Sequence, residues 1–182
     1  AVFDQTAQDK ASVNEKLIAA DDESLANGEF KVFYQPKYNI QGEKPVLVSA
    51  EALVRWKHSE LGMISPGEFI PLFERTGRIS ELDIHVWREA ARQIATWRDK
   101  YGKLLPVSVN LSRLDVFSPN LFETLDGIVK LHNLSTSCLK LEVTESAYTD
   151  NPEQLIEVIH KLRAKGYKIE MDDFGSGYSS LH

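Results

Sequence analysis

The 182-residue sequence has a single cysteine, Cys138, so no disulfide can form within the chain, and the absence of such a framework fits a reducing compartment. Cys138 reads as a small buried apolar residue. No apolar run approaches the ~20 residues that a membrane-spanning helix needs, and the N-terminus lacks the apolar core of a secretion signal. The segment is therefore expected to be soluble and cytoplasmic, although a longer protein containing it can be membrane-anchored through other domains. Positive charge is also scarce. Twenty-one Lys and Arg stand against 27 Asp and Glu, a formal net charge of -6, which disfavours DNA binding because phosphate neutralisation needs clustered cations. Low-complexity tracts and short internal repeats are missing. Gly175-Ser176-Gly177 is neither a P-loop nor a dinucleotide fingerprint, both of which need longer patterns.

What is present suffices for one sizeable core, with 42% apolar residues. Residues 1–27 are polar, with a loose apolar stripe of Val13, Leu17, Ile18 and Leu25 ending at Asn27-Gly28. They are expected to form a connector helix from an upstream domain. From Phe30 the period changes to two, and Gln41-Gly42 marks a turn before a second strand over Val46 to Trp56, so a hairpin is expected. Ser65-Pro66-Gly67-Glu68 carries a cap, a first-turn proline and a capping-box acid. The longest helix is expected from Ile79 to about Tyr101, capped by Ser80 and stopped by Gly102, with Trp87 and Trp97 as packing residues. Strands follow over Leu105–Leu111, Leu139–Val143 and Tyr167–Met171, separated by helices from Ser118-Pro119 to about Leu131 and from Asn151-Pro152 to near Lys165-Gly166. Strands alternating with helices after a hairpin require a parallel sheet or barrel.

Oxygen-bearing residues recur near the ends of these apolar runs: Glu51, Asn110, Glu142 and Asp172. In parallel α/β architecture such ends share one rim. The donors are oxygen only, with no cysteine or histidine at metal spacing, which favours Mg²⁺ or Mn²⁺ over Zn²⁺. Adjacent Asp172 and Asp173 repel each other unless cations or hydrogen bonds compensate, and one can bridge two ions while the other binds the second. Each residue also has a bland explanation. Asn110 can hold a turn, Ser112 can cap a helix, Arg55 can pair with Glu51, and Asp-Asp can sit at a helix N-terminus. His58, His85, His132 and His160 show no mutual spacing for a triad or a zinc site.

Six motifs in order carry a family resemblance: Tyr34-Gln35-Pro36, Glu51-Ala52-Leu53-Val54-Arg55-Trp56, Pro66-Gly67-Glu68-Phe69-Ile70-Pro71, Val109-Asn110-Leu111-Ser112, Leu141-Glu142-Val143-Thr144-Glu145, and Asp172-Asp173-Phe174-Gly175 with the Ser176 to Leu181 stretch. From residue 28 to 182 the chain resembles the EAL domain of bacterial cyclic-di-GMP phosphodiesterases. The resemblance implies an α/β fold, a modified TIM-type barrel whose first strand is antiparallel, and hydrolysis of cyclic di-GMP to pGpG with two Mg²⁺ or Mn²⁺ ions. It assigns Glu51, Asn110, Glu142, Asp172 and Asp173 to the metals, with Glu51, Asp172 and Asp173 catalytic. Gln35 and Arg55 fall on substrate-contacting positions, and Glu145 on the glutamate that orders the loop after Asp172-Asp173. A homodimer and an upstream GGDEF or sensory domain are also implied. The family's catalytic lysine and later glutamates have no counterpart up to His182, and a barrel of this class takes ~250 residues. The chain is thus expected to be the first two thirds of the domain and inactive alone. The alternatives are a catalytically silent cyclic-di-GMP receptor or interaction module, and a fragment that only dimerises.

Overall fold

The computed structural model describes Leu17 and residues 23–143 and 151–171. Alternation over Phe30 to Asn39 and Val46 to His58 produces strands β1 (Phe30–Asn39) and β2 (Val46–His58), an antiparallel hairpin with Phe30 opposite Trp56 and Gln35 opposite Glu51. A short strand, β3 (Gly62–Ile64), folds back on the end of β2. Helices α1 (Pro66–Thr76) and α2 (Ile79–Tyr101) follow, then β4 (Val107–Leu111), a single helical turn α3 (Arg113–Val116), α4 (Leu121–Leu131), a 3-10 turn at Thr136–Cys138, β5 (Leu139–Val143), α5 (Pro152–Ala164) and β6 (Lys168–Met171). The sheet order is β1-β2-β4-β5-β6, with β3 on β2. From β2 onward the pairs β2/β4, β4/β5 and β5/β6 are parallel. The expected hairpin and the parallel strands after it are both present.

Strand alternation separates two faces. Val107, Val109, Leu111, Leu139, Leu141 and Val143 are buried in one core with Val86, Ala90 and Ile94 of α2 and Leu125 and Val129 of α4. The opposite face carries Ser108, Asn110, Lys140, Glu142 and Glu170 in the intervening positions, because side chains on a strand alternate across the sheet. A second core is aromatic. Phe30 stacks on Trp56 at 4.7 Å between centroids, and Phe69 meets Trp56 edge-on at 5.6 Å. Leu17 is buried in this cluster, while most of the expected connector helix lies outside the described residues.

Helix ends follow local chemistry, with exceptions. Gly102 ends α2 in the left-handed region at φ 65, where a Cβ would be strained. Asn151 caps α5, its side chain accepting from the Gln154 amide at 3.2 Å. Ser65 occupies the cap position of α1 with Pro66 behind it, yet its side chain makes no capping bond. The expected cap Ser80 is instead inside α2, which starts one residue earlier after Arg78; the apolar stripe that begins at Ile79 sets the boundary. The fourth helix starts at Leu121 rather than Ser118, because Ser118 closes the preceding turn through its amide to the Asp115 carbonyl. Cys138 is buried and free.

Glu29 ties the entry of the fold to the exit of β2. Its carboxylate accepts from Ser24 Oγ at 2.7 Å, the Ser59 amide at 3.1 Å and Trp56 Nε1 at 3.2 Å. The Ser24 bond, reinforced by those from Ser59 and Trp56, lowers its pKa from 4.5 to about 2. A depressed carboxyl stabilises the fold above its unfolded pKa, and the contribution is lost as pH falls through the folded value. Glu29→Gln should therefore flatten the fall in stability between about pH 4.5 and about 2, read from urea midpoints across that range; an unchanged slope would show that Glu29 does not carry it.

Candidate functional site

The polar face of the sheet gathers most of the expected residues. Gln35 of β1 lies opposite Glu51 of β2, and Glu51 pairs in register with Ser108 of β4. One step further along the parallel strands, Asn110 pairs with Glu142 and Glu142 with Glu170. Residues in register on neighbouring strands point to the same side, so Gln35, Glu51, Asn110 and Glu142 share one surface. Asn110 and Glu142 are penultimate in their strands, as the strand-end argument requires. Glu51 is not at a strand end. It lies in the interior of the 13-residue β2, but β4 pairs β2 only at Ala50 and Glu51, which places Glu51 beside the β4 row all the same.

At the centre stands Lys37, which the sequence reading did not single out. Its Nζ donates to Glu142 Oε1 in a short contact, lies 3.3 Å from Glu51 Oε2 and 3.7 Å from Glu170 Oε2. Glu170 is held from the other side, by Lys140 Nζ at 2.7 Å and Ser108 Oγ at 2.9 Å. A register shift between Lys37 and Tyr38 leaves Val48 of β2 without a partner; such bulges re-aim neighbouring side chains and recur beside active sites. The signal for Lys37 was its spacing of two from Gln35, and for Glu170 its spacing of two from Asp172, since both intervals keep a side chain on one face.

Electrostatics follow from this crowding. The Glu142 side chain is only 4% exposed, and burial, together with the nearby Glu51 charge, pushes its carboxyl up against the opposing pull of Lys37 and Ser108. Burial works against the Lys37 ammonium, but its hydrogen bond to Glu142 and the charges of Glu142 and Glu51 outweigh it and raise its pKa. Burial likewise opposes ionisation of Glu170, and Lys140 and Ser108 overcome it to hold that carboxyl below its usual range. The face is thus an interlocked set of three carboxylates partly offset by two lysines.

Arg55 stands apart. It follows Glu51 by four residues on β2, opposite Lys31, and its guanidinium donates to the Val54 carbonyl at 2.8 Å; an extended strand of four residues spans ~13 Å, which separates it from the carboxylates. The alternative that Arg55 pairs with Glu51 is not realised. Ser112 does cap a helix: it forms a reciprocal capping box with Asp115 at α3, directly after the strand that carries Asn110. Asp172, Asp173 and Glu145 lie outside the described residues.

Among the described residues, no group of three or more His, Cys, Asp or Glu is arranged to hold a metal ion as it stands. The donor chemistry nevertheless fits a hard divalent cation: Glu51, Asn110 and Glu142 offer only oxygen ligands to it, and the Lys37 ammonium already shows that the carboxylates converge on a positive charge.

Asn110 is fixed from behind, where Trp87 Nε1 of α2 donates to its backbone carbonyl at 2.9 Å. Trp87 is fully buried in the main core. Among the described residues, no helix is long and apolar enough to cross a membrane.

Comparison with known proteins gives this geometry its context. The family model of the EAL domain matches residues 19–182. A bifunctional diguanylate cyclase/cyclic di-GMP phosphodiesterase, MucR of Pseudomonas aeruginosa, is 36% identical over 159 residues, covering 87% of this chain and 23% of MucR. The cyclic di-GMP phosphodiesterase PdeR of Escherichia coli is 38% identical over 158 residues, with 87% of this chain and 23% of PdeR covered. The chain therefore spans about a quarter of the length of these curated relatives. Among solved structures, the PaMucR phosphodiesterase in complex with c-di-GMP superposes with a TM-score of 0.81 and 35% identity, over 91% of this chain and 66% of that one.

Replacing Trp87 with Phe keeps one aromatic ring but removes the N–H donor to Asn110 and part of the buried indole. A buried carbonyl left without its partner costs ~1–3 kcal/mol and the lost volume adds to it, so Trp87→Phe should lower unfolding free energy by at least about that amount in urea titrations. A variant as stable as the parent would show that this bond does not anchor β4.

Proposed function

The chain belongs to the EAL domain family, of TIM-barrel-like α/β fold, and on that premise we propose that it contributes one wall of a cyclic-di-GMP phosphodiesterase site. The observation that carries this reading is the convergence of Glu51 and Glu142 on a single positive charge, in register with Asn110 and Gln35. Likeness to MucR and PdeR, whose names state the activity, supports the choice of substrate. The reaction adds water across one phosphodiester of the ring: a bond forms from the water oxygen to phosphorus, the P–O bond to the 3′-oxygen breaks, and pGpG with a free 3′-hydroxyl results.

Glu51, Asn110 and Glu142 would hold Mg²⁺ or Mn²⁺, with Asp172 and Asp173 completing the set in this proposal. Two such ions supply Lewis-acid charge that lowers the pKa of water and offsets negative charge building on the phosphoryl oxygens. The protein's own part is arrangement. The register β1/β2/β4/β5 fixes the donors on one rigid surface, which limits reorganisation during the reaction. Gln35, exposed opposite Glu51, is placed to donate and accept hydrogen bonds at the substrate. Arg55, further along the same strand, would meet a more distant part of the dinucleotide, and Glu145 would order the loop that follows Asp173. A homodimer and an upstream GGDEF or sensory domain, joined through residues 1–27, complete the proposed assembly, in the cytoplasm.

All donors among the described residues come from one sheet, and β6 pairs only with β5 among the described strands. We therefore expect the chain alone to turn over cyclic di-GMP far more slowly than a protein carrying the whole domain. In the whole domain, Glu51→Gln should reduce kcat by about 100-fold or more, measured by chromatographic separation of pGpG. Normal turnover in that variant would sink the site assignment. Binding of cyclic di-GMP without any hydrolysis by the unmutated domain would favour the receptor reading instead.

A further inference from the structure

Lys37 places an ammonium where the proposed metal ligands converge, and this has a consequence for how a metal could enter. Its contacts to Glu51 and Glu142 use two of the carboxylates assigned to a cation, whereas its third contact, at 3.7 Å, is to Glu170, which is outside the assigned set. Glu170 is not free to follow the metal. Lys140 grips its Oε1 at 2.7 Å and Ser108 its Oε2 at 2.9 Å, and Ser108 is itself fully buried in β4.

A divalent cation drawn to Glu51 and Glu142 would sit close to the Lys37 ammonium, and the two positive charges repel at such distances. Lys37 and a metal therefore compete for the same negative charge. The Lys37 side chain is long and 35% exposed, and it lies beside a register shift in β1. Among the described residues, Glu170 is the carboxylate in contact with Lys37 that is also held by other side chains. Without a metal, the same ammonium keeps a buried carboxylate from standing unpaired, a costly state.

We propose that Lys37 is a built-in counter-cation: it bridges Glu51 and Glu142 in the metal-free protein and withdraws onto the Lys140/Ser108-anchored Glu170 when a divalent metal binds. Lys37 is thus a positioning residue that competes with the metal, and Glu170 its docking point. This inference rests on the metal-site reading above.

The test is Mn²⁺ calorimetry on the chain, paired with thermal melts in EDTA and in saturating Mn²⁺. Lys37→Met removes the competitor while keeping the stem, so Mn²⁺ should bind about tenfold tighter or more. Its melting temperature should fall in EDTA, and the increase on adding Mn²⁺ should exceed that of the unmutated chain. Glu170→Gln should weaken Mn²⁺ binding by severalfold, because the displaced ammonium has nowhere to dock, and this weakening should vanish in the Lys37→Met background. Lys37→Gln serves as a second charge-free variant. Mn²⁺ affinity unchanged or weakened in both Lys37 variants overturns the inference alone, as does a Glu170→Gln effect that persists without Lys37. Absence of Mn²⁺ binding by the unmutated chain and by both Lys37 variants overturns the metal-site reading and the inference together.

Discussion

The parallel register of β4 against β5 is the constraint on which everything else depends. It aligns Val107 with Leu139, Val109 with Leu141 and Leu111 with Val143 on one face, and Ser108 with Lys140 and Asn110 with Glu142 on the other. A slip of one residue would exchange the faces completely. A slip of β5 would drive Glu142 into the helices and leave Leu139, Leu141 and Val143 on the polar surface. Burial of those aliphatics, at ~1.5–3 kcal/mol each, therefore also enforces the position of every candidate ligand. Core and site are specified by the same alternation, read from opposite sides of the sheet.

Charge is the second constraint, and it is solved locally. Glu51, Glu142 and Glu170 form three negative groups on a surface where Glu142 is almost wholly buried. Lys37 and Lys140 balance two of the three charges. A related problem arises behind the sheet. Asp83, on the buried side of α2, is held well above its ordinary pKa by burial, then by Asp115, while Asp115 also forms the capping box with Ser112. Protonation of Asp83 would remove one negative charge from the core and supply a hydrogen-bond donor. Asp83 is thereby tied to the turn that immediately follows Asn110.

The legible parts of the sequence were those governed by period and by strong turn chemistry. Alternation from Phe30 and apolar spacing from Ile79 revealed β1 and α2, and Gly102 and Asn151 marked helix ends through single-residue chemistry. Short elements were not legible: β3 has three residues and α3 four, too few to show any period. Ser80 misled because a serine beside an apolar stripe resembles a cap, whereas the stripe itself already starts at Ile79. Glu51, Asn110 and Glu142 stood out as oxygen donors next to apolar residues. Lys37 and Glu170 did not, since nothing local distinguishes them from solvated charges. Their significance arises only when the bulge after Lys37 and the β5/β6 register bring β1 and β6 residues to the same point.

That difference has a physical origin in the range of the interactions. The bond between Lys37 and Glu142 joins positions 105 apart, and that between Ser108 and Glu170 joins positions 62 apart, so each exists only after the parallel sheet has assembled. Contacts at such separation are the last to be repaid during folding, because the loop entropy must be lost first. The apolar pairing of Val107 with Leu139 closes a shorter loop than the Lys37–Glu142 bond does, so the lysine contacts carry the larger loop-closure cost. Residues of the site can accordingly be tuned for binding, even toward mutual strain such as the crowding of three carboxylates, as long as the aliphatic row on the reverse face is left intact.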